Sequence, residues 1–149
     1  MQTDPTLQGM AALQGRGAFL AVLRQAEAQQ KMVHAEMERL KELSKVKGSS
    51  IFLELHRYSR GNWVLRWRLK QGRVFKHVLW CDIQIELNAL PLAIKKHYEA
   101  QNLRSLELNT LDIVFQQTIK WLSNHLTKSR TNRSGASSRP IATAESRLG

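Results

Sequence analysis

A single cysteine, Cys81, stands among 149 residues. An intramolecular disulfide is therefore excluded, as are paired-cysteine redox motifs and cysteine-built zinc sites, and a reducing compartment fits. Cys81 follows Leu79-Trp80, an apolar context that points to a buried thiol rather than a nucleophile. Long apolar runs are also missing: nothing approaches the roughly 20 residues a membrane helix needs. Met1 to Met10 contains Asp4 and no basic residue ahead of its apolar stretch, so it does not read as a signal peptide. The expectation is a soluble, cytoplasmic protein without a membrane partner.

Signatures of chemistry are equally scarce. Neither GxxxxGK[ST] nor GxGxxG occurs, so no phosphate-cradling loop is expected, and there is no GxSxG nucleophile elbow. The histidines His34, His56, His77, His97 and His125 fall in no HxH or HxxxH spacing that would set ligands on one face of an element. The chain is expected to be a binding protein and not an enzyme, with no metal and no cofactor.

Acidic residues are few, and the balance of basic over acidic gives a formal charge of +11. Its distribution matters more than its size. Residues 51–80 hold seven Lys/Arg and one Glu, and residues 128–149 hold five basic residues and one acidic. Residues 81–127, by contrast, are close to neutral. Localised positive charge attracts polyanions, whereas evenly spread charge mainly aids solubility.

Three kinds of segment follow one another. From Ala11 to Val46 the chain lacks proline, and Phe19, Leu23, Ala26, Val33, Met37 and Leu40 recur at helical spacing, interrupted only by Gln30. This predicts one long helix, firm from about Ala18 because Gly15 and Gly17 weaken its start, and ended by Gly48-Ser49-Ser50. Its stripe must be covered by one partner, within the chain or in a dimer. The period then changes to two. Ile51, Leu53 and Leu55 alternate with Phe52, Glu54 and His56, while Trp63, Leu65, Trp67 and Leu69 alternate with Val64, Arg66, Arg68 and Lys70. Turn residues at Ser59-Arg60-Gly61-Asn62 and Gln71-Gly72 make this a three-stranded antiparallel meander over about 51–80, with Arg73 to Leu79 as the third strand.

Helix returns afterwards, as a short piece from Asp82 to Leu90 and then from Leu92 to Leu126, with a bend at Asn109-Thr110 left open. Leu108, Leu111, Phe115, Ile119, Leu122 and Leu126 share a face. Leu103, Leu106, Ile113 and Trp121 add a second strip, which predicts burial on two sides, with Trp80 and Trp121 in the core. From Lys128 onward Ser, Thr, Arg and Gly predominate without a packing period, which predicts disorder. The expected organisation is a flexible N-terminus (1–10), one α+β domain (11–127) and a disordered basic tail (128–149).

The basic strand is the informative feature. Arg66, Arg68 and Lys70 share one face at period two, opposite Trp63, Leu65, Trp67 and Leu69, whose better reading is core packing rather than base stacking. Lys76 and His56 join that face if the register allows, and Arg57, Arg60 and Arg73 sit near strand ends or turns. The ordinary reading is the solvated face of a half-buried sheet. The functional reading is nucleic acid, DNA first and RNA as the alternative polyanion. A β-ribbon can enter the major groove, arginines can pair with base edges, and lysines and end arginines can hold phosphates. Arg130, Arg133, Arg139 and Arg147 of the tail would add phosphate contacts. A different reading makes the long helix the functional surface, in a homodimer or against a protein partner, and leaves the charge to solubility.

Gly61-Asn62-Trp63-Val64-Leu65-Arg66-Trp67-Arg68 through Gly72-Arg73 resembles the pattern of the small arm-type DNA-binding domains of some integrases, a three-stranded sheet followed by a helix. More of the chain is involved in a second resemblance. Val64-Leu65-Arg66-Trp67-Arg68, Val78-Leu79-Trp80, Leu90-Pro91, Tyr98-Glu99 and Leu106-Glu107-Leu108-Asn109 occur in an order similar to a family of proteins of bacterial integrating conjugative elements, some labelled integrase regulator R. The similarity spans about Leu13 to Leu126. It implies a mobile-element setting and a DNA-linked regulatory or accessory role, and it carries over no catalytic residues.

Overall fold

At residue 50 the chain exchanges helical for extended backbone, and the local chemistry explains the change. The four residues after Leu43 are followed by Gly48, which sits at φ +83°, a conformation that a side chain disfavours. The computed structural model describes residues 15–136, with side chains as far as residue 130. Helix α1 spans Gly15–Leu43, strands β1 to β3 span Ile51–Arg57, Trp63–Gln71 and Val74–His77, and a 3₁₀ turn covers Trp80–Ile83. Helices α2 and α3 span Gln84–Asn88 and Leu92–Ala136. The expected α+β architecture is present: a long N-terminal helix, an antiparallel sheet in the order β1-β2-β3, and C-terminal helices. The third strand is shorter than the predicted Arg73 to Leu79. Among the described residues no helix is long and apolar enough to cross a membrane.

The stripe of α1 is covered within the chain. Ala18, Ala26, Val33, Met37 and Leu40 are buried, and the Phe19 ring lies 5.1 Å from that of His125 on α3. Gln30, the polar break in the stripe, also belongs to this contact, because its amide donates to Gln116 Oε1 at 2.8 Å. Val33, Met37 and Leu40 meet Ile51, Leu53, Leu65, Trp67 and Leu69 from the inner sheet face, with Tyr98 and Leu108 from α3, in one core.

Sheet edges expose backbone groups that must be bonded or solvated. The outer edge of β1 is closed by the end of α1 and the start of α3. The Leu53 N–H donates to Ser44 Oγ at 2.8 Å, and the Tyr98 hydroxyl donates to Ile51 O at 2.9 Å. Because β3 is short, the first half of β2 has a strand, β1, on one edge only. Side chains of α3 take the place of a strand on the other. Asn109 accepts from the Leu65 N–H at 2.8 Å and returns its amide to Leu65 O at 3.0 Å, the exchange a neighbouring strand would make. One turn on, Asp112 Oδ2 accepts from the Trp63 N–H at 2.6 Å.

Asn109 and Thr110 accordingly do not break α3, which runs unbroken past both. The same helix continues to Ala136, beyond the boundary expected at 127. The hydroxyls of Thr127 and Ser129 return to the carbonyls of Ser123 and His125, and such side-chain bonds let hydroxyl residues remain helical. Residues 137–149 of the expected disordered tail lie outside the described residues, as does the 1–10 segment.

Three expectations need correction. The second strip of α3 faces solvent, with Leu103 65% and Trp121 60% exposed, so the helix is buried on one side only. Both α1 and the sheet pack on that single side, and no further layer exists among the described residues. Trp121 therefore leaves the core and stacks on the His125 ring at 5.4 Å. Cys81 is exposed, because the 3₁₀ turn buries Ile83 and points the thiol outward. Trp80 is half-buried against Trp67, ring to ring at 5.1 Å.

Candidate nucleic-acid interface

Register decides what shares the outer face of the sheet. Residues directly opposite in an antiparallel pair project to the same side, and sides alternate along each strand. The pairs Phe52–Arg68, Glu54–Arg66 and His56–Val64 fall on one side, as do Arg68–His77 and Lys70–Phe75. Leu53–Trp67, Leu55–Leu65 and Ile51–Leu69 fall on the other, which is the core side. Arg66, Arg68 and Lys70 thus stand together on the solvent side, away from Trp63 and Trp67.

His56 joins this face and Lys76 does not, since Lys76 pairs with Leu69 and stands at the margin of the opposite side. Arg57 pairs with Trp63 and also leaves the face. Its guanidinium lies 4.5 Å from the Trp63 ring and forms an ion pair with Glu38 of α1. The Trp63 ring also stacks on His34 at 3.7 Å. Arg60 and Arg73 occupy the two turns at opposite ends of β2. In the first turn, Gly61 lies at φ +95° and a Cβ there would come within 2.9 Å of Gln116 Nε2, whose amide donates to Arg60 O at 2.8 Å. The α3 helix therefore fixes the turn that presents Arg60.

The charges on the face are partly committed to one another. Glu54 forms an ion pair with Arg68, which also contacts His77 Nε2 at 3.1 Å. Arg66 donates to the Tyr58 hydroxyl and lies 5.5 Å from its ring centroid. Lys70 Nζ stands 5.9 Å from the Phe75 centroid. Sequence patterning missed the rings of Phe52, Tyr58 and Phe75 as members of this face. Phe52 was already in the β1 alternation with Glu54 and His56, and one more step along it reaches Tyr58. Phe75 needed the β2–β3 register.

His77 carries the one resolved titration effect here. Partial burial, then the charges of Arg68 and Arg66, hold its pKa below the ordinary histidine value, with Glu54 opposing and His56 adding slightly. In the free protein its protonation is thus displaced to lower pH. A phosphate on this face would favour the protonated form, so binding would take up a proton. Polyanion affinity should rise as pH falls from 8 through the histidine range, and His77→Gln should reduce that rise. Anisotropy titrations at constant ionic strength check this, and identical pH profiles for the two proteins would remove His77 from the site.

No family model matches the chain, and neither a curated protein nor a solved structure matches it.

Proposed function

We propose that this protein binds nucleic acid through the outer face of its three-stranded sheet, as an accessory or regulatory protein of a bacterial mobile genetic element. The observation that supports the binding role is the gathering of Arg66, Arg68 and Lys70 on one solvent-facing side, with Arg60 and Arg73 in the turns at either end. Residues 51–80 carry seven basic side chains against the single Glu54, while the helices that follow are nearly neutral up to residue 127. A polyanion would meet one positive field rather than a uniformly basic surface. The resemblance carried by the order of Val64-Leu65-Arg66-Trp67-Arg68 and the short motifs after it supports the mobile-element setting and DNA as the polyanion.

A salt series tests the reading. Fluorescence anisotropy with labelled DNA should give an affinity that falls steeply with salt, because bound cations release counterions from the phosphates. Replacing Arg66, Arg68 and Lys70 by alanine should flatten the log–log slope by about 1.5–3 units, for two or three phosphates at ~0.9 each on duplex or ~0.7 on a single strand. All three side chains are on the solvent side, so the variant should retain its fold. A variant with the wild-type slope and affinity would end the proposal for this face.

A further inference from the structure

Rings occupy the outer face as regularly as charges do. Phe52 and Phe75 meet edge to face with centroids 5.8 Å apart, and Phe75 is 50% exposed. At the other end His56 and Tyr58 meet at 4.4 Å, with Tyr58 36% exposed. Lys70 accompanies the first pair and Arg66 the second. The two helices that build the core pack on the opposite side, so these rings close no interior. Phe52 and His56 are four residues apart on β1, which separates the two ring pairs by roughly 13 Å at ~3.3 Å per residue.

A duplex offers such a surface little. Its bases expose edges in the grooves and keep their faces stacked on one another, so ring faces find no counterpart. Glu54 weakens the duplex case further. Its carboxylate lies mid-face between the two ring pairs and neutralises Arg68, so an uninterrupted phosphate track would find no net positive charge at the centre. An unpaired strand differs on both counts. Its bases present open faces that stack on aromatic side chains, and its flexible backbone can route phosphates to cations at the margin.

We propose that the outer face of the sheet binds an unpaired nucleic-acid strand, with bases stacked on the Phe52–Phe75 pair and on Tyr58, and with phosphates held by Lys70 and Arg66. The proposal rests on the reading that this face binds nucleic acid, and it names the strand state that the face selects. DNA and RNA single strands share the required chemistry, and separate arms of the test distinguish them.

The experiment measures anisotropy of labelled mixed-sequence strands of roughly 12 nucleotides, within the ~4–16 that comparable single-strand sites cover, as DNA, as RNA and as the annealed duplex. Wild type should bind at least one single strand more than about 10-fold more tightly than the duplex, against a stacking gain that spans roughly 5- to 150-fold per base. Phe75→Leu keeps an apolar side chain on an exposed position and removes the ring. It should lose about 5-fold or more in single-strand affinity, leave duplex affinity unchanged and keep the salt slope, because no phosphate contact is lost. Adding Phe52→Leu should deepen the loss, and the unfolding midpoint of each variant shows whether it is folded. Duplex binding equal to or tighter than single-strand binding, with no effect of either leucine, would overturn the strand preference. The broader reading would survive that result if the Arg66, Arg68 and Lys70 alanine variant still lost salt-dependent binding. Failure of every nucleic acid to bind would overturn both.

Discussion

Replacing Asp112 by alanine is expected to lower the unfolding free energy by about 3–6 kcal/mol, the combined cost of two hydrogen bonds to a carboxylate at roughly 1.5–3 kcal/mol each. Asp112 is fully buried on α3, and its two oxygens serve different elements. Oδ2 accepts from the Trp63 N–H at 2.6 Å, and Oδ1 meets His34 Nε2 of α1 at 2.6 Å, with the Gln30 amide at 3.4 Å. One side chain thus joins both long helices to the first residue of β2. Alanine would leave the Trp63 N–H without a strand or a side chain to receive it, at the point where β3 is too short to help. Native domains have only ~5–15 kcal/mol to lose, so the variant should show a large fall in urea midpoint. Asp112→Asn keeps the shape and one acceptor oxygen but turns an amide N–H₂ toward a donor, and should fall between the two. A loss below about 1 kcal/mol for alanine would mean that water takes over both bonds and that the joint is not structural.

Asp112 also shows why α3 was only partly legible in the sequence. Hydrophobic periodicity assumes that the buried face is the apolar one. On α3 the buried series is Tyr98, Gln101, Ser105, Leu108, Asp112, Leu122 and Leu126, in which three members are polar. Asn109, beside it, bonds both backbone groups of Leu65. Asp112 and Asn109 face the sheet where the β3 side of β2 has backbone groups to satisfy, whereas Gln101 and Ser105 bond within α3, to His97 and to the Asn102 carbonyl. The leucines at 103 and 106 are displaced to solvent as a result. Nothing in a local window shows that a helix must finish a sheet edge, so Asn109 read as a possible break and Leu103 as core. Where α1 and β2 meet the apolar core, at Val33, Met37 and Leu40 and at Leu65, Trp67 and Leu69, the stripe and the alternation located the buried residues correctly.

The interface divides along similar lines. Alternation within β2 was enough to place Arg66, Arg68 and Lys70 together, since period two within one strand needs no partner. Membership from β1 and β3 depends on register, which turn lengths set across strands. His56 falls on the face and Lys76 off it because β3 pairs Lys76 with Leu69. Arg57 falls on the side of Ile51, Leu53 and Leu55, opposite Trp63, and its ion pair with Glu38, nineteen positions earlier on another element, is one that no local pattern reveals. The rings of Phe52 and Phe75 were visible as residues, but their nearness across the sheet emerges only once both registers are known.

Trp67 provides the sharpest separation of the two sheet faces. Its ring is 5% exposed, lies 5.6 Å from that of Tyr98 and 5.1 Å from that of Trp80, and donates its indole N–H to Asn102 Oδ1 at 2.9 Å. Trp67→Ala should cost about 3–5 kcal/mol, the usual range for emptying a large aromatic site. Trp67→Phe retains most of the packing and loses the indole bond, so a cost of about 1–2 kcal/mol is expected. Arg66 and Arg68 flank this residue in sequence but project to the opposite side, so Trp67→Phe should bind nucleic acid with wild-type affinity at a temperature where it is fully folded. Urea unfolding and anisotropy on the same two variants read the two properties separately. If Trp67→Phe unfolded like wild type and yet lost binding, Trp67 would be a contact residue, and the assignment of the arginine side as the binding face would have to be reversed. A stability loss with binding retained would place the interior under Trp67 and the ligand over Arg66 and Arg68.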